Sequence, residues 1–180
     1  MFIKTSKLTS VLKKAYKGAG IHLERQGSRL IVATAYMYIE ADIETMTNSF
    51  KAAVITFAGE LPANGTALTV SEDMDQNNLP KSHDRNLFER DILNYPHFNE
   101  TAFTHNGDAI LQADDGTIAT VPAKEWAVYS LKEKGDSEDD PDGWYDDGNG
   151  IICRNSTMII QFLTFQADDT LAELQKVRLV

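Results

Sequence analysis

A single cysteine, Cys153, in a chain of 180 residues excludes an internal disulfide and leaves too few thiols for a thiolate metal cluster. That count fits a reducing compartment. No apolar run approaches the roughly 18 residues of a membrane span. The start Met1-Phe2-Ile3-Lys4 lacks the basic segment and long apolar stretch of a secretory signal. A cytoplasmic protein without membrane association is the expectation. Catalytic signatures are missing as well: there is no G-x-S-x-G elbow, no G-x-x-x-x-G-K-[ST] phosphate loop and no G-x-G-x-x-G turn. His22, His83, His97 and His105 have no metal-binding spacing, and strand alternation alone accounts for His22. Asp114-Asp115 precedes Gly116, where turn chemistry explains both carboxylates. The chain therefore reads as a protein that works by binding, not as an enzyme, with no cofactor and no metal.

What is present is an ordinary folding composition, 42% hydrophobic and 24% charged, which places the chain among globular proteins and not disordered ones. Its length suits one domain over 1–180, with subunits 1–75 and 95–180 as the natural division. The charge is unevenly spread. The formal net charge is −10, yet residues 1–23 hold Lys4, Lys7, Lys13, Lys14 and Lys17 and no acid, which leaves −15 for the remainder. A strongly acidic total opposes indiscriminate nucleic-acid binding, whereas a local lysine cluster is what phosphate contacts require.

Periodicity organises the chain into an α+β pattern with mostly antiparallel strands and about three or four helices. Phe2-Ile3 reads as a short strand, and Thr5 or Ser6 as the N-cap of a helix to about Lys17, stopped by Gly18 and Gly20. Leu8, Val11, Leu12 and Ala15 make its apolar face, with Lys7, Ser10, Lys14 and Lys17 opposite and Lys13 at the edge. Residues 20–44 read as strands, with Gln26-Gly27-Ser28 as a hairpin turn. Residues 52–57 (AAVITF) and 67–70 (ALTV) read as two more strands around a turn at Pro62-Ala63-Asn64-Gly65. Residues 72–84 form a polar loop, and Ser82 caps a helix through Asn94, before Pro96. Asn106-Gly107 and Asp115-Gly116 separate a three-strand meander from Thr101 to Val121. A helix follows from Ala123 to about Lys134, then an acidic loop over 135–150 and strands at GIICR and TMIIQFLTF. Asp168 or Asp169 caps a last helix, whose trailing residues can pair as a strand.

The acidic loop carries Asp136, Glu138, Asp139, Asp140, Asp142, Asp146 and Asp147 without EF-hand spacing, so calcium ligation is the weaker explanation beside a solvated or partner-contacting loop. Trp144 and Tyr145 within it favour contact, with Asp139, Asp140 and Asp142 as mimics of phosphate and the aromatics as anchors.

The run FIKTSKLTSVLKKAYKG…IHLERQGSRLIVATAYMYIEADIE, residues 2–44, resembles the first repeating unit of bacterial β sliding clamps, the rings that hold DNA polymerase on its template. In that family a short strand leads to a helix, an antiparallel strand, a turn and an L-x-L-x-A-T-D strand pair. Leu30-Ile31-Val32-Ala33-Thr34-Ala35-Tyr36 is similar to that run, with Tyr36 where the family commonly has Asp. Residues 118–135 are similar to the Val-Pro-Ala-Lys strand and helix that open a second unit, and 93–100 to the connector between clamp domains, although not in the family's order. The resemblance implies a non-catalytic, clamp-like module whose first helix presents Lys7, Lys13, Lys14 and Lys17 to the backbone of duplex DNA. Its partners would be DNA, a replication or host protein, and further copies of the chain in a homo-oligomer. The competing reading, from the acidic loop, is a phage-type inhibitor or adaptor that covers a basic surface on another protein through 136–147.

Overall fold

The computed structural model describes residues 1–73, 87–136, 138–164 and 169–179. Helix α1 (Thr5–Tyr16) follows Phe2-Ile3, where Ile3 makes an isolated bridge to Tyr129. The hairpin strands β1 (Ile21–Gln26) and β2 (Arg29–Ala33) turn at Gly27, whose φ of 59° needs no Cβ to accommodate. Then come β3 (Met37–Asp42), α2 (Asn48–Ala58) and β4 (Ala67–Val70). The second half holds β5 (His97–His105), β6 (Asp108–Ala113), β7 (Ile118–Val121), α3 (Ala123–Trp126), β8 (Trp144–Asp146), β9 (Ile151–Arg154), β10 (Met158–Phe162) and α4 (Asp169–Leu174).

Among the described residues the ten strands join one antiparallel sheet in the order β4-β1-β2-β3-β10-β9-β8-β5-β6-β7. Strand alternation sorts the side chains. Leu30, Val32, Met37, Ile39, Cys153, Met158, Ile160, Phe162 and Leu111 point to one face and share a core with Leu8, Val11 and Leu12 of α1 and Phe50, Ala53 and Val54 of α2. On the other face Ile31, Ala33, Tyr38, Ile152 and Ile159 are covered by Leu87 and Ile92, with the Arg29 guanidinium 3.6 Å above the Phe88 ring. A smaller cluster of Ile110, Ile118 and Leu171 seats α4.

The mostly antiparallel α+β reading is what the chain adopts, and the meander, the hairpin and the strands of 67–70 and 151–162 fall where periodicity places them. Several elements differ. Residues 52–57 are not a strand: they lie within α2, which is capped at its start by Thr47, whose Oγ1 accepts from Phe50 N at 3.2 Å, and at its end by Gly59 with φ of 80°. Phe50, Ala53, Val54 and Phe57 then fall on one helical stripe. Helix α1 has Lys4 at its N-cap with no side-chain bond, and Thr5 lies inside it. Of the helix expected over 82–94, residues 82–86 lie outside the described residues, as do His83, Asp168 and most of the polar loop. The remainder forms short 3-10 turns at Leu87–Glu89 and Ile92–Asn94. The helix expected from 123 stops at Trp126, with a 3-10 turn at Leu131–Glu133. Strand β5 reaches back to His97, into the segment compared with a connector. Among the described residues after α4 no strand is added. The Gln112 side chain holds this segment instead, donating to Val177 O at 2.8 Å and accepting from Leu179 N at 2.7 Å.

Candidate nucleic-acid interface

Helices α1 and α2 lie side by side on one face of the sheet and run parallel, since Thr5 Oγ1 meets Ser49 Oγ at 3.4 Å near their starts and the Tyr16 and Phe57 rings meet at 5.7 Å near their ends. The burial of Leu8, Val11 and Leu12 fixes the rotation of α1, and that rotation decides where the lysines go. Lys4, Lys7, Lys13, Lys14 and Lys17 are all exposed. Lys13 and Lys14 occupy the last turn, where the carbonyl end of the helix dipole favours cations. Helix α2 adds the half-buried Lys51, and neither helix contains an acid. Lys124 of α3 is exposed next door, while its neighbour Glu125 is buried. The helical face of a protein with net charge −10 thus carries a local excess of positive charge.

The acidic segment is built differently from a solvated loop. Trp144 is 3% exposed and is part of the core, so it is not a surface anchor. Its ring lies 5.0 Å from Trp126, 4.9 Å from Tyr129 and 5.7 Å from Phe162, and its Nε1 donates to Glu100 Oε1 at 3.1 Å. Tyr145, on the other face of β8, is half-buried against His97 and donates to Asp142 O at 3.1 Å. Asp142 accepts from Arg154 Nε at 3.2 Å, and the largely exposed Asp140 pairs with Lys134 at 3.2 Å. Asp147, which sequence reasoning counted as one more loop acid, has a side chain only 1% exposed. It accepts from Arg90 Nη1, Gln161 Nε2, Asn149 N and Gly150 N at 2.9–3.1 Å. The Met1 amino group bonds Glu138, which ties the chain start to this segment.

Asp139 accepts from the Ser156 hydroxyl at 2.5 Å and from Ser156 N at 2.8 Å, which holds its carboxyl below the ordinary aspartate range. A folded pKa below the unfolded one means stability that is present above the unfolded value and lost as pH falls through the folded value. Because Asp139 is exposed, the amount is small. The melting-temperature difference between wild type and Asp139→Asn should therefore be largest near neutrality and shrink below about pH 4. A difference that stays constant down to about pH 2 would count against these bonds as its source.

Cys153 is fully buried, and burial, reinforced by the Glu100 and Asp142 charges, pushes its thiol up and makes it inert. Among the described residues no three His, Cys, Asp or Glu gather as metal ligands, and no helix is long and apolar enough to cross a membrane.

No protein-family model and no curated protein matches this chain. Among solved structures it is similar to the β chain of DNA polymerase III from Streptococcus pneumoniae TIGR4, with 11% identity, a TM-score of 0.37, and coverage of 93% of this chain and 66% of that one. It is likewise similar to the DNA polymerase sliding clamp from Bacillus subtilis, with 9% identity, a TM-score of 0.34, and coverage of 92% and 64%. The structural similarity to bacterial sliding clamps is weak, and the chain spans about two thirds of their length.

Proposed function

We propose that this protein is a non-catalytic, clamp-like module that associates with duplex DNA, without sequence preference, through the lysine face of α1. The observation that carries the reading is the acid-free pair α1 and α2, with Lys7, Lys13, Lys14 and Lys17 exposed together on the first of them. Lysines on a rigid helix neutralise phosphates as point charges and read no base, so they suit sliding contact. The acidic remainder of the surface repels DNA and confines contact to this face. Encirclement would need further copies of the chain, and a replication protein is the natural second partner of such a module. The adaptor reading has less support, because its central anchor, Trp144, lies in the core.

The test is fluorescence anisotropy with duplex DNA at low salt. Wild type should bind with an affinity that falls with salt at a log–log slope of roughly −3, about 0.9 for each of Lys7, Lys14 and Lys17. Changing these three to Glu should leave the melting temperature within about 2 °C of wild type, as exposed substitutions do, and abolish binding. Equal binding by the triple variant would refute the interface. Retention on closed circular DNA that is lost on linearisation would add encirclement, and indifference to topology would remove it.

A further inference from the structure

An open pocket of about 200 Å3 adjoins the lysine face of α1 and shares Lys14 with it. Val11 and Ala15 of α1 line it from one side, Ala35 and Tyr36 of the turn between β2 and β3 from another. Tyr36 is 39% exposed, yet its backbone is fixed twice: its N donates to Thr34 Oγ1 at 3.4 Å and its carbonyl accepts from Leu163 N at 3.1 Å. A large aromatic side chain on a pinned turn, open to solvent, is a stacking platform that costs little to order. The acid in the lining, Glu125, is 3% exposed, whereas Lys14 is exposed and Lys13 and Lys17 flank it on the same helix. Cations therefore stand outside, apolar walls follow, and an acid lies on the buried side.

That order suits a nucleotide better than a free anion. Phosphates meet the exposed lysines and are kept from the interior by Glu125, while a flat base replaces water against Tyr36, Val11 and Ala35. A base inside a duplex is stacked between its neighbours and out of reach, so the occupant has to be unpaired. We propose that this pocket takes the base of an unpaired nucleotide, stacked on Tyr36, with the flanking phosphates on Lys14 and Lys17. The proposal rests on the DNA reading and narrows it: the module prefers DNA that carries a single-stranded segment to continuous duplex.

The experiment is fluorescence anisotropy of the full chain with a blunt duplex, the same duplex with a short single-stranded overhang, and that overhang with its bases removed to leave abasic sugars. The two overhangs carry equal numbers of phosphates, so counter-ion release is matched and the bases alone differ. The base-bearing overhang should bind at least about fivefold tighter than the abasic one, the lower end of the effect of one base–aromatic stack. Tyr36→Ala changes an exposed side chain and should keep the fold and the affinity for blunt duplex while erasing that difference. Tyr36→Phe, which retains the ring, should preserve it. Equal affinity of wild type for the two overhangs overturns the proposal and leaves the duplex reading standing, as does a preference that survives Tyr36→Ala. Base-dependent binding of the overhang without binding of blunt duplex refutes the duplex reading alone, and failure to bind any of the three DNAs overturns both.

Discussion

Replacing Trp144 by alanine is expected to cost about 3–5 kcal/mol, the range for removing a large aromatic from a packed core. The residue sits in a cluster with Trp126, Tyr129 and Phe162 and is the inward-facing side chain of β8, opposite Phe98 of β5. Truncation leaves a cavity that three rigid rings cannot close, and strips Glu100 of the indole donor. Strand β8 also links the two ends of the sheet, pairing β9 on one side and β5 on the other, so the loss is not confined to one edge. For a chain of this size the melting temperature should fall by roughly 10 °C or more. Trp144→Phe, which keeps a ring and loses the N–H, should recover most of that. Circular dichroism melts check both, and a Trp144→Ala variant within about 2 °C of wild type would mean that the indole is not a core residue.

The second large effect belongs to Asp147. Its carboxylate gathers two backbone N–H groups of its own turn, the Gln161 amide of β10 and the Arg90 guanidinium of the covering segment, with almost no contact with water. Removing the carboxylate leaves the two turn N–H groups and the Gln161 amide without their acceptor in a site closed to water, at a cost of about 3–5 kcal/mol. Asp147→Ala should therefore destabilise as much as the tryptophan change. Asp147→Asn, which preserves an acceptor oxygen for the turn but not the charge for Arg90, should fall between the alanine variant and wild type. If both variants melt together with wild type in urea titrations, the network contributes nothing measurable and the ion pair is decorative.

These two residues also show where sequence reading runs out. Strict periods made α1, the β1–β3 strands and the β5–β7 meander legible, because each has a face whose alternation or stripe is complete within its own segment. Helix α2 was not, since Val54-Ile55-Thr56 is a β-branched run that mimics a strand; Thr47 and Gly59, its cap residues, were the signal that outweighed it. Trp144 and Asp147 sit among exposed acids, and nothing local separates the buried carboxylate from its neighbours. Their burial comes from Arg90, Gln161 and the aromatic cluster, all contributed by other parts of the chain. The lysine face was readable because a helix's apolar stripe determines the opposite side.

Strand β10 is the last strand of the described chain and yet it lies between β3 and β9, inside the sheet. During synthesis the first three strands can form their hairpins while β3 still presents an open, largely apolar edge, and that edge closes only after the ribosome has released residues 158–162. Pairings between such distant segments carry a large loop-closure cost and slow the search for the native state. The β3 edge therefore gains its second neighbour only when residues 158–162 are in place, which ties the two halves of the chain into one sheet late in the sequence.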